Sequence, residues 1–384
     1  MTEDNSVIST GAKIFSRDRS CSLAVAGLVS PGFGSELSRG VHETRPSLLI
    51  LCSLLLLAVF GGSACRTGEV RHISDPAPAI ARLQAGGSIE AEVDGLVKPL
   101  LASGEEYGLV VGVVTPDGVT RAFRYGRTGW PGDPAPPDTN SLFQIGSVSK
   151  LFVTALLEKL VEEGQMSYAD TVRGILPANI PVSEEVGQVT LYELATHTSG
   201  LPREPFTLSQ LSSFIAYLFT GRNLYAHMDK AYVYGYLRHC HPVPKAERTF
   251  IYSNLGIGLL GHLIEVKTGR PVTELIIENI CHPLDMQDSV FTLDAEQQKR
   301  LTVGHTGNQA CFWPANSRMP PWDMGEILRA SASMYATPHD LLLFAKANLG
   351  MAHLPLEAIL ATTHVVRVES ARGAGPTVSV ASQS

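Results

Sequence analysis

Phe143-Gln144-Ile145-Gly146-Ser147-Val148-Ser149-Lys150-Leu151-Phe152 is the stretch on which the reading of this chain turns. Leu151, Phe152, Ala155, Leu156 and Leu160 recur at helical spacing from here, and Gly164 is placed to end the helix. A helix starting at this point carries Ser147 and Lys150 one turn apart on the same face. A serine hydroxyl is a poor nucleophile until a neighbouring base helps remove its proton, and an amine one turn away is such a base. The positive end of the helix favours negative charge, and the backbone N–H of Ser147 is a candidate donor to a developing oxyanion. Ser-x-x-Lys alone is common by chance, and its bland reading is a capped surface helix.

Further along, Tyr252-Ser253-Asn254 lies between an extended segment, residues 248–251, and an apolar helix beginning at Leu255. A tyrosine whose proton affinity is lowered by a nearby lysine serves as general base and then returns the proton to a leaving group. The amide of Asn254 suits a substrate amide carbonyl and the lysine itself. Two motifs in this order, each followed by a helix, are far more specific than either alone.

With these pieces the chain resembles the class C β-lactamase-related serine hydrolases, a penicillin-binding-protein-like family that also includes D-Ala-D-Ala carboxypeptidases, D-aminopeptidases and esterases. The resemblance covers residues 107–350 and rests on FQIGSVSKLF, LVEEGQMSYADTV, LATHTSGLP, FIYSNLGIGLLGHLIE and YATPHDLLLFAKANLG. It implies an α+β fold of the β-lactamase/transpeptidase type, an antiparallel sheet with flanking helices plus a mostly helical subdomain. It also implies acyl transfer through a Ser147 acyl-enzyme on a β-lactam, a D-amino-acid peptide or an ester. Lys150 would be the activator, Tyr252 the general base and Asn254 a substrate and lysine partner. His197-Thr198-Ser199-Gly200 resembles a structural turn of the family and is read as scaffold.

The family's third motif, Lys/His-Thr/Ser-Gly on a strand near the C-terminus, has no clear counterpart. Lys267-Thr268-Gly269 falls where a helix C-terminus is expected, so it is read as capping. His305-Thr306-Gly307 precedes the segment 335–350, whereas the family places the motif after it. Residues 364–368 and 377–380 are candidate strands, and the chain then stops at Ser384. The expectation is a chain truncated at its C-terminus with incomplete sheet strands, short of one oxyanion donor whose loss costs about 10²–10³ in rate. The competing reading is therefore a non-catalytic cell-envelope homologue that binds cell-wall peptides or is inactive.

Outward from this core, residues 109–114 and 119–125 read as a hairpin around Asp117-Gly118. Residues 89–101 carry a helical pattern, as do 255–266 and 272–280, and 208–237 look largely helical. Thr337-Pro338-His339-Asp340 has the chemistry of a helix start. Residues 47–60, SLLILCSLLLLAVF, are an uncharged apolar run behind Arg39 and Arg45. The run is short of the roughly 20 residues of a spanning helix and matches a signal-peptide core. Gly61 to Ala64 and then Cys65 resemble a lipoprotein processing site, although Gly62 departs from the usual aliphatic residue. The expected division is 1–40, a disordered extension or mis-assigned start; 41–65, a signal peptide with a lipidation site at Cys65; 66–87, a linker; and 88–384, the hydrolase domain. The expected location is the periplasm or the cell envelope, with a membrane tether through Cys65 or the 47–60 run.

The chain of 384 residues is 44% hydrophobic and 17% charged, enough for a sizeable core, and its net charge is −7. No basic stripe exists for phosphates to neutralise, which argues against nucleic acid as a partner. Cys240, Cys281 and Cys311 are an odd set without regular spacing, so no disulfide framework is implied. His239-Cys240-His241 lacks a second ligand pair at zinc-type spacing, and neither a metal nor a cofactor is expected. A G-x-S-x-G elbow is also missing, which sets aside the α/β-hydrolase chemistry. The partner expected is a small-molecule or peptide substrate; the oligomeric state is not legible.

Overall fold

Leu109, Val111 and Val113 point to one face of a strand and Val110 and Val114 to the other, and all are buried. A strand buried on both faces needs a layer on each side, which explains its nearly continuous apolar run. The computed structural model describes residues 24–29, 77–104, 106–130, 132–205, 207, 212–213, 215–217, 223–225, 227–305 and 317–365. In it, β2 (Gly108–Val114) is the centre of a three-stranded antiparallel sheet between β1 (Ala24–Val29) and β3 (Thr120–Gly126). Helices α1 (Ala77–Gln84) and α2 (Ile89–Ser103) precede β2. Val93 and Val97 of α2 cover one face, packing with Leu109, Val111 and Val113. Val110 joins the main core on the other face. The architecture is α+β, as the sequence implied.

That main core is built round α6 (Asn254–Thr268), which follows α3 (Ser149–Glu162), α4 (Leu191–Ala195) and α5 (Lys230–Leu237). Every residue of α6 from Asn254 to Ile264 is buried, the signature of a helix with neighbours on all sides. After α7 (Val272–Ile276) comes α8 (Gly325–Ala332), which crosses α6 closely. A Cβ on Gly258 would lie 2.9 Å from both the Leu328 Cα and the Ile327 carbonyl oxygen, so only glycine admits this approach. Two short strand pairs complete the frame: β5 (Gly304–His305) with β6 (Arg318–Met319), and β4 (Phe143–Gln144) with β7 (Tyr335–Ala336). The second pair ties the entry of the Ser147 turn to the start of α9 (Pro338–Asn348). There Thr337 caps the helix by accepting from the Asp340 N–H, as its sequence indicated. Helix α10 (Leu356–Thr363) follows.

Several expectations need revising. Residues 77–84, inside the expected linker 66–87, form a helix. The backbone of residues 24–29, inside the stretch 1–40, pairs with β2. His364 is the C-cap of α10 and does not begin a strand. Residues 272–280 do form helix, but it loosens into a π turn over Ile277–Cys281. The 47–60 run, Cys65, Cys311, Thr306-Gly307 and residues 366–384 lie outside the described residues. Among the described residues no helix is long and apolar enough to cross a membrane.

Candidate active site

Ser147 stands in a 3₁₀ turn, Gly146–Val148, immediately ahead of α3. Gly146 enters that turn at φ +52°, a conformation that costs glycine little. Two anchors fix the turn from below. The Ile145 N–H donates to the Met334 carbonyl at 2.9 Å, and the Ser149 hydroxyl donates to the Gly146 carbonyl at 2.6 Å. Ser147 is left exposed while Lys150, one turn on, is 1% exposed. The helix therefore presents the hydroxyl to solvent and buries the amine beneath it.

Lys150 Nζ donates to Ser147 Oγ at 3.0 Å and to the Ser331 carbonyl oxygen, at the end of α8, at 2.9 Å. Burial is the main reason its pKa falls to about 7, with Arg203 depressing it further and Glu204 opposing. Near neutrality this amine is thus balanced between its two protonation states, the condition for taking up a proton and giving it back.

Tyr252 reaches the same oxygen, its phenol donating to Ser147 Oγ at 2.6 Å. Its ring lies 4.9 Å from Lys150 Nζ and 5.6 Å from the Arg203 guanidinium carbon. The sequence suggested that the lysine would lower this tyrosine's proton affinity. Instead desolvation by burial raises it, outweighing the hydrogen bond to Ser147 and the charge of Arg203. At rest, then, Tyr252 is a neutral donor and Lys150 is the softened base.

His197, read from sequence as scaffold, grips the tyrosine's segment on both sides. Its carbonyl accepts from the Ile251 N–H at 2.8 Å and its Nδ1 from the Ser253 N–H at 3.1 Å, with its ring 4.8 Å from that of Tyr252. Complete burial, with Lys150 nearby, depresses its pKa to about 3, so the ring stays neutral and Nδ1 remains an acceptor. The backbone at His197 is left-handed, φ +59°.

Asn254 starts α6, where Ser253 caps the helix by accepting from the Gly256 N–H. Its Nδ2 donates to Glu204 Oε1 at 3.1 Å, and Tyr225 OH donates to that same oxygen at 2.7 Å. Its Oδ1 is buried and accepts no hydrogen bond among the described residues, so the expected Asn254–Lys150 bond is not formed. Ser147, Lys150 and Tyr252 are therefore brought together, from stretches about a hundred residues apart, while the Asn254 side chain is held by Glu204. The sequence reading named neither Arg203 nor Glu204. Their one signal was position, directly after Leu201-Pro202, because the Arg203 carbonyl receives the Asn254 N–H at 2.8 Å.

Of the third-motif strings, Lys267-Thr268-Gly269 ends α6, with Gly269 at φ +71° donating to the Glu265 carbonyl. This is the capping role its spacing indicated. His305 stacks on Tyr107 with centroids 4.0 Å apart.

A family model described as Beta-lactamase matches residues 93–380. Over 240 residues the chain is 30% identical to the D-alanyl-D-alanine-carboxypeptidase/endopeptidase AmpH of Escherichia coli K12, covering 62% of this chain and 56% of that one. It is 27% identical over 281 residues to a beta-lactamase of Pseudomonas fluorescens, covering 72% and 70%. Among solved structures, the D-alanine carboxypeptidase AmpC of Burkholderia cenocepacia superposes with a TM-score of 0.56 at 26% identity, over 72% of this chain and 69% of that one. The chain spans little more than half the length of the Escherichia coli relative.

Proposed function

The chain belongs to the beta-lactamase family, and on that premise we propose that it is a serine hydrolase working through a Ser147 acyl-enzyme. The observation that carries this reading is the convergence of Lys150 Nζ and Tyr252 OH on Ser147 Oγ, at 3.0 and 2.6 Å. Lys150 as free amine takes the Ser147 proton while Oγ attacks the substrate carbonyl. The Ser147 N–H, at the first turn ahead of α3, steadies the oxyanion. The proton then passes from the Lys150 ammonium to Tyr252, and Tyr252 delivers its own proton to the departing amine or alkoxide. Water repeats the sequence on the acyl-enzyme, releasing acid and restoring Ser147. Neutral Tyr252 is suited to the donor half and Lys150 to the acceptor half.

The substrate class comprises β-lactams, D-amino-acid peptides and small esters. The named relatives, a D-alanyl-D-alanine carboxypeptidase/endopeptidase and beta-lactamases, support the lactam and D-peptide members. Residues 88–384 form the hydrolase domain, and residues 41–65 direct export to the cell envelope, with Cys65 as the lipid anchor.

Intact-mass spectrometry after incubation with a fluorophosphonate, and separately with a fluorescent penicillin, tests the reading. An adduct that maps to Ser147 and disappears in Ser147→Ala is expected. A folded protein that takes up neither reagent would replace this reading by that of a non-catalytic peptide binder.

A further inference from the structure

Trp130 is a large apolar side chain that the fold leaves in the open, 44% exposed, and yet holds still. Its indole Nε1 donates to the Leu301 carbonyl at 2.7 Å, and its own carbonyl accepts from the Asp133 N–H at 3.2 Å. Two clefts, of about 370 and 320 Å³, share Trp130 and Asp133 in their linings. Neither lining includes Ser147, Lys150 or Tyr252.

The larger cleft also holds Arg127, Arg318, His305 and Tyr107. His305 and Arg318 stand directly opposite each other in the β5–β6 pair, so their side chains share a face. The His305 ring stacks on Tyr107 and occupies the space a side chain at position 129 would need: a Cβ on Gly129 would come 2.4 Å from His305 Cε1. Gly129 also takes φ +89°, which glycine alone adopts freely. Burial first, and then the charge of Arg318, hold the His305 pKa below the usual histidine value against its bond to the Val303 carbonyl, so the ring is neutral at pH 7. The positive charge is therefore that of the two guanidiniums. Both side chains are exposed, and neither has an ion pair or side-chain hydrogen bond among the described residues. The one carboxylate of that lining, Asp133, is turned to its own loop, accepting from the Thr128 hydroxyl at 2.6 Å and the Ala135 N–H at 2.9 Å.

Two free guanidiniums beside one fixed aromatic face narrow the choice of ligand. A guanidinium meets a carboxylate with paired N–H donors. None of the other exposed large apolar side chains lines either cleft, so the surface lacks the apolar patch that a docking protein buries. A sugar needs only one flat ring to lie on, because its C–H face is apolar. Its hydroxyls then reach a polar rim, here Asp138, Asn140 and Lys299 of the second cleft. We propose that the cleft around Trp130 binds an acidic glycan, with one sugar stacked on the indole and its carboxylate held by Arg127 and Arg318. The site is separate from Ser147 and does not depend on the acyl-transfer reading.

Calorimetric titration of the full chain with a peptide-free muramyl tetrasaccharide, and separately with chitotetraose, tests it. The two glycans share their sugar rings, and only the first carries lactyl carboxylates. Tighter binding of the muramyl glycan by about tenfold or more is expected, the worth of one charge-assisted hydrogen bond. In the double variant Arg127→Gln, Arg318→Gln that ratio should fall towards one. Trp130→Ala should weaken both glycans about three- to tenfold. Both arginines are exposed, so the double variant should melt as the unmodified chain does, and it stays decisive if losing the Trp130–Leu301 bond unfolds the other. Equal affinity for the two glycans, no binding of either, or a preference that survives in the double variant overturns the proposal. So does equally tight binding of hexaglutamate or of AMP, which would make the cleft a peptide or nucleotide surface. No turnover enters the measurement, so failure here leaves the acylation test of Ser147 as it stands.

Discussion

Lys150 Nζ lies 3.0 Å from Ser147 Oγ, yet Lys150 is buried to 1% exposure while Ser147 is open to solvent. One turn of helix thus spans two environments. The amine meets its substrate-facing partner from a dry interior, where its charged form is disfavoured. Its proton is released near pH 7 for that reason.

The pH dependence follows from the sign of that shift. Below about pH 7 Lys150 is protonated and has no lone pair for the Ser147 proton, so acylation slows about tenfold per pH unit on the acid side. Above it the amine is free and the rate levels off. A pH profile of kcat/KM checks this, and a rate flat from pH 5 to 8 would count against Lys150 as the base. Lys150→Met should lose at least about 10²-fold in acylation while leaving the melting temperature unchanged or higher, since it removes a buried amine and keeps the volume.

Removing the Tyr252 hydroxyl takes away one hydrogen bond to Ser147 and, on the proposed mechanism, the proton for the leaving group. Tyr252→Phe should fold normally and turn over amides about 10²–10⁴-fold more slowly. An activated ester, whose leaving group needs no proton, should suffer less. Equal losses on amide and ester would argue against the donor role.

His197 holds Tyr252 through the Ser253 N–H, which Leu at this position would leave buried without an acceptor. His197→Leu should destabilise the protein by about 1–3 kcal/mol and lower turnover. Asn offers an acceptor near the Nδ1 position and tolerates the left-handed backbone. His197→Asn should therefore recover part of both stability and turnover. Denaturant melts of the two variants decide it, and no difference between them would remove the hydrogen bond from the account.

Gly258 lets α8 lie against α6, and α8 ends in the Ser331 carbonyl that receives Lys150 Nζ. The added methyl of Gly258→Ala would push against the Leu328 backbone, costing about 1–3 kcal/mol. It would also move Ser331 away from the lysine. A fall in melting temperature together with a shift of the acid limb of the pH profile is the expected result. An unshifted profile would separate the packing from the lysine.

Lys267 heads the other letter match to the family's third motif, at the C-terminus of α6. Lys267→Ala should change stability by no more than about 0.5 kcal/mol and leave labelling of Ser147 intact. A large loss of labelling would reopen its exclusion.

Much of the fold was legible because its local chemistry is unambiguous. The Asp117-Gly118 turn set the hairpin, Thr337 and Pro338 set the start of α9, and Gly164 and Gly269 ended their helices. Residues 77–84 form a helix inside the stretch whose proline, alanine and glycine content reads as a linker, because a short helical pattern is masked by such a composition. His364 was misjudged because β-branched neighbours suggest a strand, whereas α10 runs into it.

The site divides along the same line. By itself the sequence determined that Ser147 and Lys150 share a helix face, and that Tyr252 and Asn254 open a second helix. Spacing along one helix is a local property. Only the tertiary structure decided that burial under α8 softens Lys150 and that desolvation keeps Tyr252 protonated. It alone placed Glu204 against Asn254 and left Oδ1 without a donor. Proton affinity and hydrogen-bond satisfaction depend on what distant segments bring to a group, and no local pattern encodes that.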